Sequence, residues 1–395
     1  MKIIKYSIID DTIGKIAGKT VSTSVIPVSS NVGITRLSTV AKVSLLNLLA
    51  GYYSKELITV EGEDLNKYID VDNFASLNLN IINAGPMNFN VHVVFSKNNA
   101  YRLGGKTLKK TDIDFDTILL ASGGIDSASG LFYCLDHNIK VLPVWIDFGQ
   151  KNRVNEKKSV SSLCRKLDIP LVVIRVGIKK YVDSGWKIWK YGIIPSRNFM
   201  LVALSSLLIE RMTSNNIRIL LCATRDEYNS RHQDKSPEFY KTISKLLSGT
   251  TRKRVTVETP FGGYNKTEII SYWQKRWKDK YRTDISDTIS CYSNDYCGVC
   301  PACYNRRIYG AVAGYYNDVV YKNNPFNDGA RMIRDYHMKN YQSWNHTRKL
   351  DFLIALQRNR VVLPPEVRLF LSQNYQRMHK QIVARKKYLK NLEIS

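Results

Sequence analysis

A chain of 395 residues exceeds one ordinary hydrophobic core and predicts two or three domains. Its 44% hydrophobic content fits a soluble globular protein, and the lack of any eighteen-residue apolar run excludes an ordinary membrane-spanning helix. The formal charge of +25 favours polyanionic partners such as nucleic acid or nucleotides, although a solvated lysine-rich surface accounts for the same excess.

Met1 to Lys15 alternates apolar with charged residues and includes Asp10 and Asp11, so it lacks the apolar core of a signal peptide and predicts a cytoplasmic protein. Residues 1–115 are expected to form a β-rich N-terminal accessory domain. Thr20–Val28, Ile81–Ile82 and Val91–Phe95 are β-prone, with Asn, Gly and Pro between them. Ser38–Tyr53 predicts a helix, with Ser38 as N-cap and Val43, Leu46, Leu49 and Ala50 at helical spacing. Gly104-Gly105-Lys106-Thr107 ends like a nucleotide-binding P-loop, but Ala100 stands where that pattern needs glycine.

Residues 116–325 alternate strand and helix. Thr117–Ala121, Val141–Asp147, Leu171–Val176 and Ile217–Ala223 read as strands. Ser127–His137, Glu156–Leu167, Phe199–Met212 and Glu238–Leu247 read as helices. Strands apolar almost throughout predict an α/β fold, a parallel sheet with helices on both faces. Residues 326–395 predict a basic helical region, with helices over Arg331–Tyr341, Thr347–Arg358 and Glu366–Leu389 and a break at Pro364-Pro365.

The first strand-to-helix junction reads Ser122-Gly123-Gly124-Ile125-Asp126-Ser127. Paired glycines let backbone N–H groups approach an anion, and the following helix start adds partial positive charge. Ser122 and Ser127 add hydroxyl donors, and Asp126 makes sense beside a phosphate if it holds Mg²⁺ or orients the loop. No lysine follows the glycines. The segment resembles the PP-loop of the adenine nucleotide α-hydrolase-like superfamily, whose members hold the pyrophosphate of ATP and transfer AMP. The second strand ends in Asp147-Phe148-Gly149-Gln150, which puts Asp147 and Gln150 at the same sheet edge as nucleotide-binding candidates.

Seven cysteines, an odd number, argue against a disulfide framework, and four of them fall within thirteen residues: Cys291, Cys297, Cys300 and Cys303. Two C-x₂-C spacings aim sulfurs at one point, and four thiolates suit a closed, structural Zn²⁺ site; an iron–sulfur cluster is the competing metal. Cys134, Cys164 and Cys222 lie in apolar runs and read as core residues.

A PP-loop followed by a four-cysteine knuckle resembles the QueC family of 7-cyano-7-deazaguanine synthases. Asp147-Phe148-Gly149-Gln150 is similar to that family's Asp-Tyr-Gly-Gln, and Ser196-Arg197-Asn198 to its Gly-Arg-Asn. Glu258-Thr259-Pro260 and Lys266-Thr267-Glu268 resemble its Glu-Thr-Pro and Lys-x-Glu, and the four cysteines match its zinc ligands. The resemblance covers about 116–315. It implies ATP-dependent adenylation of the carboxylate of 7-carboxy-7-deazaguanine, then capture by ammonia to an amide, which a second ATP dehydrates to the nitrile. It also implies Arg197 and Lys266 as contacts to anionic groups, and Asn198 as a residue that orients nucleotide or substrate.

The chain departs from that pattern in places. Lys151 and Asn152 follow Gln150 where the family commonly has Arg-His, and Glu156 is displaced by one position. The substrate segment is replaced by Asp226 to Asp234, two residues longer. Asp226 and Asp234 remain candidates for a base edge, and His232 for a general base. The added terminal regions suit a docking surface for protein or nucleic acid. They keep two alternatives open: a defence-system enzyme that conjugates the deazapurine to a protein amine, and a tRNA-modifying PP-loop enzyme. A homodimer is among the expected assemblies.

Overall fold

Short apolar runs alternating with amphipathic stretches build an α/β architecture in the computed structural model. The structure describes residues 6–8, 13–16, 19–22, 28–30, 37–53, 57–61, 63–79, 92–96, 113–177, 196–228, 233–292, 296–315, 320–327, 331 and 333–394. Ile81–Ile82, Gly104–Thr107 and His232, singled out above, lie outside the described residues. The fold divides into two units. One holds residues 1–122, 130–150 and 164–263; the other holds 123–129, 151–163 and 264–395.

The first unit is built on a seven-stranded sheet. The N-terminal region supplies β1 (Tyr6–Ile8), β2 (Ile13–Ile16), β3 (Lys19–Ser22), β4 (Val28–Ser30), β5 (Leu57–Glu61) and β6 (His92–Ser96). The alternating region supplies β7 (Thr117–Leu120), β8 (Val141–Asp147), β9 (Val172–Val176), β10 (Asn216–Leu220) and β11 (Arg254–Glu258). The sheet order is β1-β4-β9-β8-β7-β10-β11. Its five central strands run parallel, whereas β4 joins β9 and β1 joins β4 antiparallel. A second sheet, β3-β2-β5-β6, uses the other N-terminal strands. The N-terminal region therefore widens the parallel sheet at one edge.

β7 is buried along its whole length, as a strand covered on both faces must be. From it the chain winds out through β8 to β9, then returns to β10 on the other side. This reversal puts a topological switch point at the carboxyl ends of β7 and β10, where open α/β sheets bind ligands.

Helix α1 (Thr39–Tyr53) buries Val43, Leu46 and the polar Ser44 and Asn47. With α2 (Val71–Leu79) it joins the core that lines the central strands. Helices α3 (Ile125–Asp136) and α4 (Arg153–Lys166) follow β7 and β8. The helix expected over Phe199–Met212 is α5 (Arg197–Ser205), and its last part is 3₁₀ from Ser206 to Arg211. Helix α6 (Pro237–Thr251) has Ser236 as N-cap and packs on β11, a strand whose alternating burial escaped the sequence reading. Cys134 and Cys164 are buried as expected, and burial pushes both thiols up to about 12.

The second unit contains α7 (Lys266–Tyr272), which continues into a π-helical turn burying Trp273 and Trp277. Next come α8 (Pro301–Ala313), α9 (His346–Arg358), α10 (Pro365–Arg377) and α11 (His379–Asn391). α9 packs on α8, α10 and α11, and α7 packs on α8 and α11. The single helix expected over Glu366–Leu389 is broken at Met378 (φ −111°, ψ 15°). The break lets Val367 and Leu371 of one half, and Ile382 and Leu389 of the other, enter the same core. No helix among the described residues is long and apolar enough to cross a membrane.

Candidate active site and metal centre

Gly123 adopts φ +73°, a left-handed conformation that glycine reaches without steric cost. A Cβ there would meet the Glu156 carbonyl oxygen at 2.9 Å and Ser159 Cβ at 3.1 Å, so α4 also requires the glycine. The Gly123 carbonyl accepts from Ile289 N–H at 2.8 Å and from Ser159 Oγ at 3.1 Å. That Ser159 hydroxyl also lies 2.7 Å from the Asp287 carbonyl. One end of the loop is thus held from two directions. At the other end Ser127 Oγ donates to the Gly124 carbonyl at 3.1 Å, and Ala128 N–H donates to the same oxygen at 3.0 Å. Ile125 is buried and Asp126 half-buried in the first turn of α3.

Asp126 and Lys266 are brought together: Lys266 Nζ lies 2.9 Å from Asp126 Oδ2, both side chains partly buried. Lys266 is the first residue of α7, and its neighbours form a reciprocal cap. Glu268 N–H donates to Asn265 Oδ1 at 2.9 Å, and Asn265 N–H donates to Glu268 Oε2 at 2.8 Å. A carboxylate and an ammonium set at a glycine turn can hold a polyphosphate and its counter-cation. The hard oxygens of Asp126 fit Mg²⁺, although Lys266 competes for one of them.

The four sulfurs of Cys291, Cys297, Cys300 and Cys303 lie within 4.8 Å of one another. Cys291–Cys300 and Cys297–Cys303 are each 4.0 Å apart, far beyond a disulfide. Tetrahedral Zn–S bonds of about 2.3 Å need sulfurs about 3.8 Å apart, so the cluster fits zinc closely. Cys300 caps α8, accepting the Cys303 N–H at 3.4 Å, and Cys291 accepts the Cys297 N–H at the same distance. The Cys303 thiol, with the backbone N–H groups of Tyr292 and Cys303, holds Cys300 down to about 5 against the effect of burial. Gly298 (φ +77°) is obligatory, because a Cβ there would lie 1.7 Å from the Asn323 carbonyl oxygen. Asn152, at the start of α4, reaches the Cys291 carbonyl at 3.4 Å.

In the first unit, Ser122 leaves β7, and Asp147 ends the parallel neighbour β8. Asp147 Oδ1 accepts the Gly149 N–H at 3.1 Å. The Gln150 amide is turned back on its own loop, accepting from Phe148 N–H at 3.0 Å and donating to the Ile146 carbonyl at 3.2 Å. Its visible role is to shape the turn after β8. Arg197 opens α5, half-buried, and Asn198 beside it is buried. Asn198 Nδ2 donates to Asp234 Oδ2 at 2.8 Å, joining two residues predicted separately. Asp226 stands in the single turn Arg225–Tyr228, half-buried.

Ser196 takes φ +57°, a left-handed conformation that glycine reaches at no steric cost and serine only with some strain. Here its Oγ accepts Asn47 Nδ2 at 2.9 Å and its N–H donates to the Asn78 carbonyl at 2.8 Å. Both partners come from the N-terminal region. Sequence reasoning missed Asn47, Asn265 and Ser159. Only Asn265 carries a local signal, the Asn-x-x-Glu spacing of a cap.

Residues 116–310 match the family model described as "Queuosine biosynthesis protein QueC". The 7-cyano-7-deazaguanine synthase of Nautilia profundicola is 24% identical over 225 residues, covering 52% of this chain and 97% of that protein. That of Picrophilus torridus is 25% identical over 229 residues, covering 53% of this chain and 92% of that protein. The 7-cyano-7-deazaguanine synthase 2 of Sulfurisphaera tokodaii is 24% identical over 293 residues, covering 69% of this chain and 60% of that protein.

Proposed function

We propose, on the match of residues 116–310 to the QueC family model, that the protein is an ATP-dependent ligase that activates a deazapurine carboxylate, 7-carboxy-7-deazaguanine or a close relative, and passes it to a nitrogen nucleophile. The observation that carries this reading is the Asp126–Lys266 pair, set at a glycine loop in the unit that also holds the four cysteines.

In the first step a carboxylate oxygen of the acid attacks the α-phosphorus of ATP. The acyl–O–AMP bond forms, the bond from α-phosphorus to the bridging oxygen breaks, and pyrophosphate leaves. The N–H groups of Gly124 to Ser127 and the Lys266 ammonium serve the charge that develops on that leaving group. Mg²⁺, with Asp126 as its candidate carboxylate, would neutralise part of the same charge. Arg197 is the candidate partner for the acid, and Asn198, steadied by Asp234, for the edge of its base. The nitrogen nucleophile then attacks the acyl carbon, AMP departs, and the nitrogen's proton passes to water or a base. With ammonia the product is the amide, and a second adenylation, on the amide oxygen, leads to the nitrile. Cys291, Cys297, Cys300 and Cys303 would hold a zinc ion with all four of their sulfurs, and the metal would then serve the fold rather than the chemistry.

The test is release of AMP and pyrophosphate from Mg-ATP with 7-carboxy-7-deazaguanine, with and without ammonia, followed by mass spectrometry of small molecules and protein. An amide or nitrile with stoichiometric AMP supports the synthase reading. A deazapurine mass adduct on protein moves the nucleophile to a macromolecular amine, and no AMP with either nucleophile sinks the ligase. Asp126→Ala is expected to lower AMP release by about a hundredfold or more while the thermal melt stays cooperative. Unchanged turnover in that variant removes the loop from the chemistry.

A further inference from the structure

Lys266 sits between Asn265 and Glu268, the two halves of the cap at the start of α7, and that cap is itself gripped from far along the chain. Arg385 Nη1 lies 2.6 Å from Glu268 Oε1. Its Nε and Nη2 bond Asp351 Oδ1 and Oδ2 at 2.9 and 3.1 Å, the two-pronged geometry that only a guanidinium supplies. Nη2 also reaches Asn265 Oδ1 at 3.4 Å, and Asn265 Nδ2 donates to Asp351 Oδ2 at 3.2 Å. The side chains of Arg385, Glu268 and Asp351 are only 7%, 2% and 2% exposed. Burial alone would lower Arg385, but its bonds to Asp351 and Glu268 hold it above the usual guanidinium range, so the cation is secure. Arg385 and Asp351 both lie beyond residue 310, outside the matched domain.

A network this buried fixes geometry, because each member has few alternative partners in a low-dielectric interior. We propose that Arg385, anchored by Asp351, is a positioning residue for Lys266: it locks the Asn265–Glu268 cap and so sets the lysine opposite Asp126. The C-terminal helices are then part of the nucleotide machinery. Arg385 itself touches neither nucleotide nor acid. The inference rests on the ligase reading for the lysine's purpose, but the geometry can be tested without it.

The experiment is competitive acetylation with acetic anhydride, read by peptide mass spectrometry, on the full-length protein without nucleotide. The quantity measured is the labelling rate of Lys266 relative to Lys140, an exposed lysine paired with Asp114 elsewhere in the fold. Arg385→Met is expected to raise this ratio about fivefold as the Lys266–Asp126 pair loosens. Arg385→Lys keeps the buried positive charge but not the two-pronged grip. It should raise the ratio about twofold, and it decides the matter if Arg385→Met does not melt cooperatively. Arg377→Ala, an exposed change in the same region, should leave the ratio unchanged. If wild-type protein forms AMP, kcat/KM should fall about ten- to a hundredfold in the Arg385 variants, tracking the labelling ratio. A wild-type ratio in a folded Arg385 variant overturns the inference and leaves the ligase reading intact. A raised ratio in the Arg385 variants, alongside a wild-type protein that makes no AMP, overturns the ligase reading and keeps the inference.

Discussion

At Gly123 two constraints coincide. The backbone is left-handed, and α4 leaves no room for a methyl group. Gly123→Ala should cost about 1 kcal/mol for the dihedral and about 1–3 kcal/mol for the clash, and should abolish AMP release. Chemical denaturation and the AMP assay together check this, and a neutral effect on both would show that the loop relaxes freely. The glycines, Asp126 and Ser127 are legible in the sequence because local geometry demands those residue types. Lys266 is legible only through resemblance, since nothing local tells a working lysine from a surface one. Asn47 and Arg385 carry no signal at all: their partners lie 149 and 117 residues away. Gln150 shows the reverse. A polar residue at a strand's end reads as a ligand contact, and nothing in the sequence says that its amide also shapes its own turn.

Elements follow the same division. Strands β7 and β8 and helices α3 and α4 were legible because a buried parallel sheet writes apolar runs. β11 was not, because Arg254 and Thr256 interrupt it with exposed positions. The break at Met378 has no proline or glycine to mark it, and only packing against α9 requires it. For the knuckle, spacing alone foretold a cluster, and the backbone now shows why it is tight: two N–H groups already point at sulfur. Purified protein should carry about one zinc per chain and no brown colour. Cys300→Ser should release the metal and lower the melting temperature by several degrees, read by elemental analysis and calorimetry. A stable, fully active, metal-free variant would remove the structural role.

Across the molecule, the parts outside the matched segment are woven into it. The N-terminal strands extend the central sheet and the N-terminal helices hold Ser196, while the C-terminal helices share a core with α8. At the heart of that core His337 stacks on Tyr304, meets Trp344 edge to face and lies tilted against Phe352. Burial, reinforced by Arg348, lowers its pKa to about 3. The unfolded chain, with an ordinary imidazole near 6.5, therefore binds the proton first. Stability from this site is full above about pH 6.5 and falls as pH drops towards 3, by an amount on the order of a few kcal/mol. Urea denaturation at pH 7.5 and pH 5 should show the loss, and His337→Phe should flatten it. An equal slope in both proteins would clear His337 of responsibility.

The grip of Arg385 on the α7 cap also has a consequence in time. During synthesis Glu268 emerges 117 residues before its cation, a delay on the order of ten seconds at ordinary elongation rates. Through that interval the carboxylate has no guanidinium, and the lysine beside it has no fixed bearing. A nascent chain would thus hold its glycine loop before its lysine arm was set, and the ATP turnover proposed above would begin only once α11 had closed on the cap.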